Sequence, residues 1–136
     1  MLRGIHGTPH PRARARLAAF AADLVLIAHL LIALFAVFGG FAILLEPGVA
    51  LAHLPVVAWS SIVNLAHWTC PLTPLEQWLR RHAGQSSFEG GWIQHYLDPV
   101  VRPLGMPRRL EMVAGISIVV WNVAVYGVIM AMGSIT

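Results

Sequence analysis

The sequence predicts an all-α integral membrane protein: a bundle of three transmembrane helices with a long loop between the second and the third. Three observations predict it. Of 136 residues, 57% are hydrophobic and only 11% charged, with a mean hydropathy of +0.70, whereas a soluble domain is usually about 25% charged. Three apolar runs reach the roughly 20 residues that a bilayer crossing needs. All nine positive charges are arginines, and they lie at the ends of those runs rather than along one face. The net charge of +3 therefore reads as membrane topology and not as a nucleic-acid surface.

Residues 1–16 form a polar arm with His6, His10, Arg3, Arg12, Arg14 and Arg16, expected to be mobile as termini are. The single domain is residues 17–136. The first helix is expected over about 17–45. That run is too long for the apolar region of a signal peptide, about 7–15 residues, so it reads as a retained span. It ends at Glu46-Pro47-Gly48. The second helix is expected over about 49–69, with Pro55 inside it, which neighbouring helices can accommodate. The loop, 70–109, holds five prolines and no run long enough to span. The third helix is expected over about 110–133.

The arm and the long loop carry every arginine, while the turn at 46–48 and the C-terminal tail carry none. The positive-inside rule then puts the N-terminus and the loop in the cytoplasm and the C-terminus outside a bacterial inner membrane.

Within the loop, Thr73-Pro74-Leu75-Glu76 has the spacing of a capping box: a Thr73 hydroxyl on free amides, Pro74 at the first helical position and a Glu76 carboxylate reaching back to the Thr73 amide. The helix should stop at Gly84. Leu75, Trp78 and Leu79 share one face, so the segment reads as a cytoplasmic interfacial helix with Trp78 at headgroup depth. Trp92 to Leu97 reads as a second interfacial turn. Cys70, the only cysteine, allows no intrachain disulfide and reads as a small buried residue beside Pro71.

Polar groups in the spans need partners, because hydrocarbon offers none. They are Asp23, His29, His53, Asn64, His67 and Asn122. Counting back from the turn, residue i of the first helix is level with residue 93 − i of the second. His29 then lies level with Asn64, His53 with Gly40, and His67 about a turn from Asp23. His29 and Asn122 each fall roughly 20 Å beyond a cytoplasmic arginine at 1.5 Å per residue. The expectation is a mid-membrane layer of His29, Asn64 and Asn122 and a cytoplasmic-side pair of Asp23 and His67. The simpler reading makes these helix-to-helix hydrogen bonds of about 0.6–2 kcal/mol each. The sharper one makes them a proton relay, a quinone pocket or a haem b site, with His29, His53, His67 and His95 as candidate ligands. His29 and His53 differ by about 16 Å in level, too far to share one iron, although Gly39 and Gly40 opposite His53 could admit a macrocycle. A third possibility is a membrane enzyme built at the cytoplasmic interface from Cys70, Glu76, His82 and His95.

Several strings together resemble a known family. They are Asp23-Leu24-Val25-Leu26 with His29, Phe38-Gly39-Gly40, His53-Leu54-Pro55 with Trp59, Cys70-Pro71-Leu72-Thr73-Pro74-Leu75-Glu76, and Gly90-Gly91-Trp92-Ile93-Gln94-His95-Tyr96. In this order, over about 17–127, they are similar to the bacterial membrane proteins grouped as domain of unknown function 2784. Asn64 stands where many relatives would carry an acid. The resemblance implies the three-helix fold and points to the loop motif and the membrane histidines, and it implies no substrate. The resulting expectation is a small membrane protein, more a structural or accessory component packed against other membrane subunits than an enzyme. The alternative is a redox or proton-handling protein with a haem b or quinone site.

Overall fold

In the computed structural model the described residues are 11–86, 95, 96, 99, 100 and 110–133. Among them there is no strand. Helix α1 spans Pro11–Ala42, a 3-10 turn Pro47–Val49, α2 Ala50–Leu65, α3 Leu72–His82 and α4 Leu110–Gly133. Three segments are long and apolar enough to cross a membrane: Pro11–Ala42, Pro47–Leu65 and Leu110–Gly133.

Helix α1 begins six residues before Leu17. Pro11 suits a first helical position, where its missing N–H costs nothing, and the alanines and arginines after it are good helix formers. Arg12, Arg14 and Arg16 thus ride on the helix. The rest of the expected arm, the expected turn at Trp92, and Arg102, Arg108 and Arg109 lie outside the described residues. At the other end the Glu46 carboxylate accepts the Gly48 amide at 3.1 Å, with Pro47 opening the 3-10 turn.

Helix α2 stops at Leu65, four residues before the expected end. His67 takes a left-handed φ of 55°, and the Trp68 amide reaches back to the Val63 carbonyl at 2.9 Å. This is the helix-ending bond that satisfies a terminal carbonyl. Helix α3 ends the same way at Gly84, with φ 71°, a Gln85-to-Arg80 bond of 2.9 Å and a Gly84-to-Arg81 bond of 3.1 Å. The stop at Gly84 is the one that the sequence predicts.

Helix α2 packs against α1 and α4, and α3 packs against α1. Contact is made through small residues, which let helix backbones approach without polar help. Ala22, Ala36, Gly39 and Gly40 are buried on α1, and Gly115 is buried on α4. A Cβ on Gly115 would lie 2.9 Å from Leu65. The large apolar side chains Leu31, Phe38, Leu51, Val120 and Met130 point outward, the inside-out arrangement suited to a lipid surround.

Helix α3 departs from the expected geometry in its polar face. Its Thr73 and Glu76 are fully buried, while Leu75 and Trp78 are exposed like the outward apolar side chains of the spans. Arg80 meets Asp23, whereas Cys70–Leu72 meet His29, Ile32 and Ala33 around a shared cavity. Helix α3 therefore runs antiparallel to α1, polar face inward. It continues the descending course of α2 after a six-residue break at 66–71.

Candidate functional site

The polar face of α3 closes on α1 around Glu76. This carboxylate has no solvent exposure. One of its oxygens, Oε1, receives Arg80 Nε and Nη2, each at 2.8 Å, and the Tyr96 hydroxyl at 2.7 Å. Oε2 is buried and has no hydrogen-bond partner among the described residues, and neither has the Thr73 hydroxyl. Arg80 also lies 3.6 Å from Asp23 and donates to Gln85 at 3.1 Å. Burial opposes the charge on Arg80, but its hydrogen bond and ion pair with Glu76 outweigh that and leave its pKa above the ordinary value. Burial, then the hydrogen bond and charge of Glu76, push the Tyr96 hydroxyl up to about 12.

The capping box read from Thr73 and Glu76 is thereby corrected. Pro71 already has helical backbone angles, φ −56° and ψ −26°, so the helix starts at Leu72 and has no side-chain cap. The Thr73 amide bonds the Cys70 carbonyl at 2.9 Å and has no use for a carboxylate. Glu76 turns toward α1 instead.

Beside this cluster, at the break between α2 and α3, is a cavity of about 590 Å³. It is bordered by His29 and Ala33 of α1, Ser60 and Asn64 of α2, Cys70 of the break and Ser117 of α4. Among the described residues, no arginine or carboxylate lines it. Asn64 gives its amide hydrogen to the Ser60 carbonyl at 2.7 Å. Leu72, one turn before Glu76 on α3, lies on the cavity wall with His29, so the cavity and the ion cluster are neighbours.

His29 and Asn64 share that cavity, while Asn122 sits apart from it. The Asn122 amide donates to the carbonyls of Ala36 at 3.0 Å and Ile118 at 2.9 Å. Next to it, Trp121 Nε1 donates to the Val37 carbonyl at 2.7 Å. Asp23 and His67 do not meet: Asp23 faces Arg80, and His67 lies 3.5 Å from Glu111 at the start of α4.

His53 is fully buried near the start of α2, against Gly39 and Gly40 toward the end of α1. Its Nδ1 lies 2.8 Å from the Tyr126 hydroxyl, its ring stacks on Tyr126 and Phe35 meets it edge-on at 5.1 Å. Its Nε2 is buried without a partner among the described residues. A Cβ on Gly39 would come within 2.6 Å of the His53 ring. The space that the two glycines leave is therefore filled by the imidazole and not left for a macrocycle. The four candidate haem b ligands are spread over four surroundings: His29 at the cavity, His53 between Phe35 and Tyr126, His67 at Glu111, and His95 against the Tyr96 ring. Among the described residues, no three histidine, cysteine or carboxylate side chains gather as a metal site. Of the interfacial enzyme set, His82 bonds the Trp78 carbonyl at 2.8 Å and lies tilted against that indole, ring centres 4.0 Å apart, while Cys70 lies at the cavity.

Arg80 as the partner of Glu76, and Tyr126 as the partner of His53, were not identified from the sequence. A usable signal for the buried α3 contact was present: Ala22, His29 and Ala36 recur every seven residues, which marks one face of α1 as a helix contact.

The family model described as Protein of Unknown function (DUF2784) matches residues 19–127. The chain belongs to this family. No curated protein and no solved structure matches it. The match begins just before the Asp23 contact and ends just after Tyr126, so the DUF2784 region contains the ion cluster, the cavity and the His53 pocket.

Proposed function

We propose that this DUF2784 chain is a three-pass membrane protein, N-terminus in the cytoplasm and C-terminus outside, that serves as a structural or accessory component of a membrane assembly. The observation that carries this reading is where the buried polar groups go. Asn122 and Trp121 tie α4 to the carbonyls of α1, and His53 ties α2 to Tyr126 of α4. Each is an interhelical fastening of the kind that holds a membrane bundle together. The outward apolar side chains are then left for lipid and neighbouring subunits.

Orientation is tested with a reporter active only outside the cytoplasm. Fused after Thr136 it should be active, and fused after Gly84 silent; the reverse pattern overturns the topology. After mild solubilisation the chain should migrate with other membrane subunits. Recovery solely as a 14.8 kDa protomer would overturn the accessory role.

The redox or proton-handling reading is favoured by one observation, the place of His29 on a cavity next to a buried carboxylate. A visible absorption spectrum of the purified protein tests the haem b form of it: a Soret band supports that form, and a featureless spectrum overturns it.

A further inference from the structure

We infer that the cavity at the α2–α3 break is a binding site for a neutral lipid: a carbonyl- or hydroxyl-bearing head on a hydrocarbon tail, taken up from the surrounding bilayer. The inference rests on the membrane placement proposed above and is independent of the accessory role.

Size and lining are the first argument. About 590 Å³ lies in the usual range for ligand cavities, roughly 300–1,000 Å³, which are mostly apolar with a few polar groups that fix orientation. Here the apolar wall, with Ile32, Ala33, Ala36 and Val63, makes up nearly all of the lining, and His29, Asn64, Ser60 and Ser117 contribute only a small polar share. The cavity is partly open to the surroundings, so a tail can remain in the lipid.

The second argument is the backbone. Irregular chain at membrane depth is tolerated only where it is buried in protein or lines a cavity. Residues 66–71 interrupt two helices, and Cys70 and Pro71 at the end of that interruption form part of the cavity wall. The break directly follows the span Pro47–Leu65, so the cavity lies at the end of the bundle where a head can meet the interface.

Charge selects the class. Arg80, on the helix whose start borders the cavity, is held by Glu76 and Asp23, and no cation lines the cavity among the described residues. A phosphate head brought here would be an uncompensated charge in a low dielectric. One of the two Asn64 amide hydrogens is committed to the Ser60 carbonyl, which leaves the other to donate to a carbonyl head and the side-chain carbonyl to accept from a hydroxyl head. The ring and hydroxyl of His29 and Ser117 can serve a carbonyl or a hydroxyl.

The test uses the full chain in phosphatidylcholine nanodiscs, with Trp59 on the cavity wall as reporter. Its fluorescence is isolated as the difference between the chain and Trp59→Phe. Three probes are titrated: decylubiquinone, a diacylglycerol with brominated acyl chains, and phosphatidylglycerol with the same chains. Saturable quenching by a neutral probe is expected, while phosphatidylglycerol should quench only in proportion to its share of the bilayer. Saturation by decylubiquinone alone assigns a quinone head, by diacylglycerol alone a glyceride, and by both a shared neutral-head site. Ala33→Phe and Ser117→Phe fill the cavity from opposite helices, so at least one should accumulate normally. Either should weaken the saturable phase roughly tenfold or more. Three results would overturn the inference: no saturation by either neutral probe, equal saturation by phosphatidylglycerol, or unchanged binding in a folded filling variant. The reporter fusions at Gly84 and Thr136 separately show whether membrane placement was at fault.

Discussion

Arg80 holds Glu76, one turn earlier on the same helix, through Nε and Nη2 both 2.8 Å from a single carboxylate oxygen. An exposed i, i+4 pair contributes little, about 0.3–0.5 kcal/mol. This one differs because Glu76 is fully buried against α1, and a carboxylate in that position depends on its partner. Arg80→Gln should therefore destabilise the fold by about 3–5 kcal/mol, the usual effect of orphaning a buried charge. Adding Glu76→Gln should restore most of the loss by removing the charge. Unfolding titrations in mixed detergent measure both. A single-variant loss below about 1 kcal/mol would show that Glu76 reaches water.

Tyr96 supplies a pH test of the same cluster. Its folded pKa, about 12, is above the unfolded value near 10. The folded state thus holds this proton more tightly, and the associated stability is complete below pH of about 10 and lost as pH rises through about 12. A tyrosinate absorbance titration of the chain against Tyr96→Phe should show Tyr96 ionising late. Ionisation near the ordinary value would mean that the Glu76 contact is not made.

These contacts mark the limit of what the sequence made legible. The three spans could be read because continuous apolar runs have one stable outcome in lipid, and the Gly84 stop because a left-handed cap favours glycine. The surroundings of α3 could not. A Thr-x-x-Glu string fits a capping box, and it equally fits two buried side chains one turn apart. An amphipathic pattern separates two faces without saying which one faces the protein. Counting from the turn placed His53 level with Gly40 and His29 level with Asn64; in the structure Gly40 lies beside the His53 ring, and His29 and Asn64 line one cavity. It could not foresee the break after Leu65. That break carries His67 to Glu111 and leaves Asp23 facing Arg80.

Two glycines on different helices should respond oppositely to alanine. A Cβ on Gly39 would be 2.6 Å from the His53 ring and 2.7 Å from Phe35. Both rings are packed, so Gly39→Ala should cost about 1–3 kcal/mol, as overpacking does. A Cβ on Gly127 meets nothing within 4 Å, and Gly127→Ala should stabilise α4 by about 0.5–1 kcal/mol through reduced backbone entropy. Thermal unfolding of the two variants in one detergent decides it. Equal shifts would contradict the tight packing of His53.

The two helix ends at His67 and Gly84 make a matched pair, since both sit at the left-handed cap position, φ 55° and φ 71°. A Cβ on Gly84 would meet nothing within 4 Å, so Gly84→Ala isolates the backbone penalty of about 1–2 kcal/mol. At His67 the same penalty is already present in the native chain, offset in part by the Glu111 contact at 3.5 Å. That contact is half-exposed and contributes at most about 1 kcal/mol. In a Glu111→Gln background, where the carboxylate contact is gone, His67→Gly should therefore stabilise the protein by about 1 kcal/mol. In the native background the gain should shrink toward zero. The four unfolding measurements form a cycle whose coupling term is the His67–Glu111 interaction alone. If His67→Gly destabilises even without Glu111, the imidazole has another function at the α2 terminus. If the gain is the same in both backgrounds, the ion pair contributes nothing to holding α4 against that turn.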